Sequence, residues 1–158
     1  ILKMRSKTRI YIDNSVIGGY YDEIFQDETR VFFKRVENKE FQIYFSDINE
    51  TELFLAPQKV KDIKNRIPLD CLSLIEQNEE SKELGDKYIE TGILTIKSLN
   101  DAYHIAIASV NRVDLLVSWN FKHIVNYDKI RLFNSVNLQL GYPKIDIRTP
   151  RELIKYED

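Results

Sequence analysis

Arg9-Ile10-Tyr11-Ile12-Asp13-Asn14-Ser15-Val16-Ile17-Gly18-Gly19 is the stretch on which the architecture of this chain turns. Residues 8–12, rich in Ile and Tyr, have the composition of a buried strand, and the strand ends abruptly on a carboxylate. An acid directly after a hydrophobic strand stands where open α/β sheets place their ligand crevice. Asp13-Asn14-Ser15 also suits an Asx turn or cap ahead of Gly18 and Gly19. The position alone does not separate a site from a turn.

Outward from this stretch, strand and helix signals alternate. Residues 27–38 carry a helical stripe of Val31, Phe32, Arg35 and Val36. A second strand is expected over 42–45, with Ser46 capping a helix that reaches Ala56 and is closed by Pro57. Residues 59–92 read as helices broken near Pro68, with Leu69, Leu72, Leu74 and Ile75 facing a core that Leu84, Tyr88 and Ile89 continue. The apolar run 93–96 fits a strand or a buried connection. Asn100 is the expected N-cap of a helix over 101–111. A short buried strand over 115–118 follows, then a weak helix from Phe121. Residues 127–140 are irregular to helical, stopped by Gly141, and 145–147 form a last strand. Thr149-Pro150-Arg151-Glu152 is a capping box with proline at the first helical position, opening a terminal helix over 150–156. Strands separated by helices imply parallel crossovers. The expectation is an α/β three-layer sandwich with a central, mostly parallel sheet flanked by helices, in a single domain over 1–158 whose core spans 8–148.

Composition sets outer limits. The 158 residues are 43% hydrophobic and 30% charged, ordinary for a globular protein. No apolar run approaches the roughly 18 residues of a membrane span, so no membrane association is expected. Residues 1–9 are basic and polar, without the apolar core of a secretory leader. One cysteine, Cys71, excludes an internal disulfide and a cysteine metal cage, and suits a reducing cytoplasm. A net charge of −2 and a pI near 5.8 argue against a coat for nucleic acid. Lys3, Arg5, Lys7 and Arg9, then Lys59, Lys61, Lys64 and Arg66, form two basic stretches, and Glu76 to Glu90 concentrates acids. These runs read as solvated faces or, for the basic ones, as an approach path for nucleic acid.

Four polar residues fall at the same end of the elements. Asp13 ends the first strand, Glu52 lies in the helix that leaves the second, Asp101 occupies the first turn of its helix, and Asn120 follows the strand that ends on Ser118. In a parallel sheet these ends open on one side, and a helix N-terminus favours an anion. Oxygen ligands of this kind suit Mg²⁺ or Mn²⁺ rather than softer metals. Taken singly, each has a plainer reading: Asp101 as a helix-start charge, Asn120 as a cap, and Glu52 in competition with Glu50 as surface. Ala102, Ile105, Ala106 and Ser109 let the Asp101 helix press close to the sheet. His104 reads as a satisfied core or cap histidine, whereas His123, three residues past Asn120, lies near the proposed edge. No zinc-protease histidine pair, nucleophile elbow or phosphate loop is present.

Ile10-Tyr11-Ile12-Asp13-Asn14-Ser15, Phe45-Ser46 through Glu52-Leu53, Asp101-Ala102-Tyr103-His104-Ile105-Ala106-Ile107-Ala108, and Leu116-Val117-Ser118-Trp119-Asn120-Phe121-Lys122-His123 together resemble the PIN-domain family, within it the VapC-like toxin nucleases. The resemblance covers residues 8 to 125. It implies a PIN-like sandwich that cleaves RNA phosphodiesters with a divalent metal. It assigns the metal to Asp13, Glu52 and Asp101, the Ser46 to Glu52 spacing favouring Glu52 over Glu50. Ser15 matches the small hydroxyl residue that supports the first acid, and Ser118, within the fourth motif, is a further supporting residue, as is His123. Asn120 stands where many members carry a further aspartate, and His123 where another acid often lies. Fewer charges imply weaker metal binding, or one ion rather than two. The resemblance also implies a small antitoxin partner and a homodimer. The leading expectation is thus an Mg²⁺- or Mn²⁺-dependent endoribonuclease, the toxin of a type II toxin–antitoxin pair. A PIN-like RNA- or protein-binding domain of little activity is second. A structure-specific DNA nuclease is third, disfavoured by the modest basic content.

Overall fold

The structure, a computed structural model, describes residues 6–154. The expected first strand is Thr8–Ile12 (β1), followed at once by a short helix, Asn14–Gly19 (α1), and then Gln26–Glu37 (α2). Strand Phe41–Ser46 (β2) leads into Asp47–Phe54 (α3), where Ser46 forms a capping box with Asn49. Helix Gln58–Lys61 (α4) and two 3₁₀ turns precede strand Leu72–Ile75 (β3). Helices Glu79–Glu90 (α5) and Leu99–Val110 (α6) lead to strand Leu115–Val117 (β4). Helix Tyr127–Gln139 (α7), strand Ile147–Arg148 (β5) and a 3₁₀ turn, Pro150–Leu153, complete the described chain.

The five strands form one sheet in the order β3-β2-β1-β4-β5, and all four pairings are parallel. The chain winds outward from β1 to β3, then crosses back to insert β4 on the other side of β1. The winding therefore reverses between β1 and β4, and in open parallel sheets ligands bind outside the strand ends at such a reversal. Asp13 and Ser118 are the residues that leave these two strands.

Alternation along β1 builds the three layers. Ile10 and Ile12 face a core shared with Val16 and Ile17 of α1 and Phe32, Phe33 and Val36 of α2. Tyr11 points the other way, as a period of two requires, into a core made by α5, α6 and α7. Every residue from Ala102 to Ser109 is buried, so α6 is enclosed on all sides, as its near-continuous apolar sequence demands. Gly85 of α5 permits the close approach on the outer side. A Cβ there would run into the ring of Tyr103.

Several elements depart from expectation. Residues 72–75 are an edge strand rather than helix, and Leu69 and Leu74 are exposed rather than core-facing. A four-residue strand with one covered face has too short a pattern to tell from a helix turn. Helix α6 begins at Leu99, ahead of Asn100, after a 3₁₀ turn over Ile96–Ser98. Residues 93–96 are a connection, with Ile93 and Leu94 buried and Ile96 exposed. No helix follows Phe121 directly, while 127–139 is a full helix. The last strand lies at 147–148, and the capping box opens a 3₁₀ turn; residues 155 and 156 of the expected terminal helix lie outside the described residues. Among the described residues, no helix is long and apolar enough to cross a membrane.

The second basic stretch is spent on packing. Lys59, Lys61, Lys64 and Arg66 lie 4.8, 5.1, 4.9 and 4.8 Å from the ring centres of Tyr21, Phe54, Phe45 and Tyr20. Lys64 also pairs with Glu50, and Arg66 with Glu37. Of the first basic stretch, Arg9 is tied down by the carbonyls of Asn111 and Arg112 and the hydroxyl of Tyr44. Lys3 and Arg5 lie outside the described residues.

Candidate active site

Asp13 is buried at the end of β1, with one oxygen held by the Ser15 hydroxyl at 2.5 Å and the other by the Ser118 hydroxyl at 2.7 Å. Ser15 is placed by the first turn of α1, and Ser118 by the end of β4. Ser15 Oγ also accepts the backbone N–H of Trp119 at 2.8 Å, and Ser118 Oγ that of Asn120 at 2.9 Å. Two hydroxyls thus fasten the carboxylate to both central strands. Burial pushes the Asp13 carboxyl above the usual carboxylate range; His104, Ser15 and Ser118 oppose that shift and Asp101 adds to it.

Asp101 lies in the first turn of α6. Its carboxyl is also raised, chiefly by burial and further by the charge of Glu52, against the opposing influence of His104, His123 and the Asn120 amide. Asn120 accepts the backbone N–H of His123 at 3.0 Å. Nδ1 of His123 is buried without a hydrogen-bond partner in the protein. The structure therefore brings Asp13, Asp101, Glu52, Asn120, Ser15, Ser118 and His123 to one edge. Glu50, the competing acid, is turned away to Lys64.

Glu52 is held in a way the sequence reading did not anticipate. Its Oε1 lies 2.8 Å from Nε2 of His104, whose Nδ1 lies 2.6 Å from the Tyr11 hydroxyl. That hydroxyl is 2.7 Å from Ser46 Oγ, which in turn meets Asn49. His104 is thus the satisfied, buried histidine that was expected, but it is also the support of an acid. The available clue was spacing: three residues after Asp101 on one helix, it shares that residue's face. Tyr11 stays protonated, since burial raises its hydroxyl well above its ordinary value. Both ring nitrogens of His104 are thus taken up, Nδ1 by Tyr11 and Nε2 by Glu52.

These donors can be tested against a divalent ion. Two raised carboxyls near a third acid are charges that a cation would relieve. All the donors are oxygens apart from His123 Nδ1, the chemistry Mg²⁺ and Mn²⁺ accept. Among the described residues no three His, Cys, Asp or Glu side chains close around one point. The set fits a hard ion held by one or two carboxylates and otherwise by water, which is the usual protein Mg²⁺ site. It does not fit a closed cage.

No family model and no curated protein matches the chain. Its likeness is to solved structures. A chain of a toxin–antitoxin complex from Klebsiella pneumoniae matches over 72% of this chain and 88% of its own length, with TM-score 0.53 and 19% identity. A chain of VapBC2 from Rickettsia felis, bound to a DNA fragment from their promoter, matches over 90% of this chain and 98% of its own, with TM-score 0.55 and 16% identity. The expected α/β three-layer sandwich with a central parallel sheet is the fold this chain has, and it shares that fold with these two chains. Identities this low are a likeness of fold.

Proposed function

We propose that this chain, as a single domain over 1–158, is an Mg²⁺- or Mn²⁺-dependent endoribonuclease and the toxin of a type II toxin–antitoxin pair. The observation that supports it most is Asp13, buried at the winding reversal and clamped by two serine hydroxyls, with the charge of Asp101 close enough to raise its carboxyl further. A protein that merely needed a turn there would gain by neutralising that acid. Asp13 and Asp101 would hold the ion, with Glu52 reaching it directly or through water. When bound, such an ion lowers the pKa of a water and neutralises charge on a phosphodiester.

The reaction is hydrolysis: a water oxygen bonds to phosphorus, the P–O3′ bond breaks, and the departing 3′ oxygen takes a proton. Ser15 and Ser118 keep Asp13 fixed in orientation. His104 does the same for Glu52, and the Asn120 amide faces Asp101 from the third side. His123 adds its favourable influence on the ionised form of Asp101. A small antitoxin and a second copy of the chain are the partners that the neighbouring complexes suggest, and the cytoplasm is the compartment in which all three meet.

The test is cleavage of labelled single-stranded RNA by the purified chain with Mn²⁺ and with EDTA. Cleavage that needs the metal and is abolished by Asp13→Asn supports the reading. RNA binding without cleavage, unchanged by that substitution, overturns it. Such a result would favour the second reading, a PIN-like domain that binds RNA or protein with little activity. That reading draws on Asn120 standing in place of an acid and on the absence of a closed ligand cage among the described residues.

A further inference from the structure

Past the end of β4 lies a cavity of about 420 Å³, walled by Ile24, Phe25, Trp119, Phe121 and Val125 and rimmed by Glu28, Thr149, Arg151 and Glu152. We propose that it receives one unstacked base of a single-stranded RNA whose neighbouring phosphate lies at the acids. This rests on the nuclease reading and adds to it the form of substrate that the site takes.

The three residues after Ser118 carry the argument. Asn120 faces Asp101, while its neighbours Trp119 and Phe121 both line the cavity. Trp119 is anchored: its indole N–H donates to Thr29 at 2.9 Å, and its ring stacks on Phe25 at 4.3 Å with 18° between planes. Gly19 makes room for it, since a Cβ there would stand 2.8 Å from the indole. Core packing accounts for Trp119 and Phe25. It does not account for Phe121, which is 51% exposed with its ring 6.1 and 6.2 Å from those of Phe25 and Trp119, or for Ile24, which is 81% exposed across the cavity.

A flat apolar wall with one open aromatic edge is what a base requires, because every base has a π-face to stack. The rest of the rim suits a base edge better than an aliphatic side chain. Glu28 is paired with Arg151 at 2.8 Å and Glu152 accepts the backbone N–H of Thr149, so the rim, though it carries one more acid than base, offers both acceptors and donors. Lys122, exposed next to Phe121, stands where the backbone of a strand entering the cavity would pass. The backbone N–H of Trp119 donates to Ser15, whose hydroxyl holds Asp13, so the base wall is joined to the acid edge through a single residue. A base seated on Phe121 therefore belongs to a nucleotide adjoining the one being cut. Duplex RNA cannot present a splayed base, so the cavity selects single strands.

The experiment combines Phe121→Ala and Phe121→Tyr with RNA in which single bases are removed one position at a time. Loss of one stacked base corresponds to a change of about 5- to 150-fold. Phe121→Ala should raise KM by that factor with kcat little changed, and Phe121→Tyr should restore it. One abasic position should cost the wild type the same factor and cost Phe121→Ala nothing more. Direct binding of the same RNAs to proteins that also carry Asp13→Asn supplies a readout independent of turnover. Unchanged KM in Phe121→Ala, or abasic penalties equal in both proteins, overturns the base site while leaving the nuclease intact. Weakened capture of a protein partner with RNA kinetics untouched overturns it in favour of a protein-docking face. Wild-type protein that neither binds nor cuts RNA overturns the nuclease reading, and the base site with it.

Discussion

Tyr11→Phe removes one hydroxyl from a fully buried ring and preserves its packing shape. Of the two atoms that hydroxyl meets, Ser46 Oγ keeps Asn49 as a partner, at 3.0 Å to Oδ1 and 3.3 Å to the backbone nitrogen. Nδ1 of His104 is left with no other protein partner among the described residues. The cost is one buried polar atom without a hydrogen bond, about 1–3 kcal/mol. For a chain of this length each kcal/mol moves Tm by about 2–4 °C, so the variant should melt about 2–12 °C lower. The imidazole also loses the contact that holds its ring in place against Glu52. Supporting contacts of this type are worth about 10- to 100-fold in metal affinity. His104→Gln places an amide near the former Nε2, keeping Glu52 and losing Tyr11. Adding Tyr11→Phe to it should therefore cost little more, a coupling of about 0.5–3 kcal/mol. Urea unfolding of the wild type, the two single variants and the double variant measures the coupling, and calorimetric titration with Mn²⁺ measures the affinity. Additive losses, or a Tyr11→Phe protein with unaltered Tm and affinity, would refute the relay.

Two further outcomes follow from the acids. Asp13 has its pKa raised on folding, so it binds its proton more tightly in the folded state; its contribution is full below the unfolded value of about 3.9 and is lost as pH rises through the folded one. In metal-free buffer, Asp13→Asn should thus gain stability relative to wild type between pH 4 and pH 7 in urea unfolding, and an advantage that shrinks over that range would contradict the argument. Asn120→Asp puts a further charge beside Asp101 in place of an amide that favours its ionised form; calorimetry should show tighter Mn²⁺ binding, and weaker binding would mean that the ion is held elsewhere.

The readable parts of the chain are those where a local rule and the tertiary arrangement agree. β1 and the Asp13 that ends it follow from composition and an abrupt polar stop, and the Ser46 cap follows from its own hydrogen-bond chemistry. That Asp13, Glu52 and Asp101 lie toward one edge follows from parallel topology, though the three side chains do not close around one point. β3 was missed because an exposed edge strand carrying Leu69 and Leu74 nearby looks apolar for no local reason. α1 was masked by two glycines, and the start of α6 by a 3₁₀ turn that passes ahead of the better-looking cap, Asn100. His104 was read correctly as buried, yet its partner on α3 is 52 residues away. Nothing short of the fold itself couples those positions. The Phe121 wall has the same origin, since Phe25 and Trp119 meet only when α2 covers the sheet.

The serine clamp on Asp13 has a consequence for the order of assembly. Ser118 is 105 residues downstream of the carboxylate it holds, and at roughly 5–20 residues per second of synthesis it leaves the ribosome on the order of 5–20 s later. Until then Asp13 lacks one of its two hydroxyls, Asp101 has only just emerged, and β1 has an open side where β4 will insert. Central insertion of a late strand thus sets the order of events at Asp13: its carboxylate is fastened to both central strands only after Ser118 has been made and β4 has paired with β1.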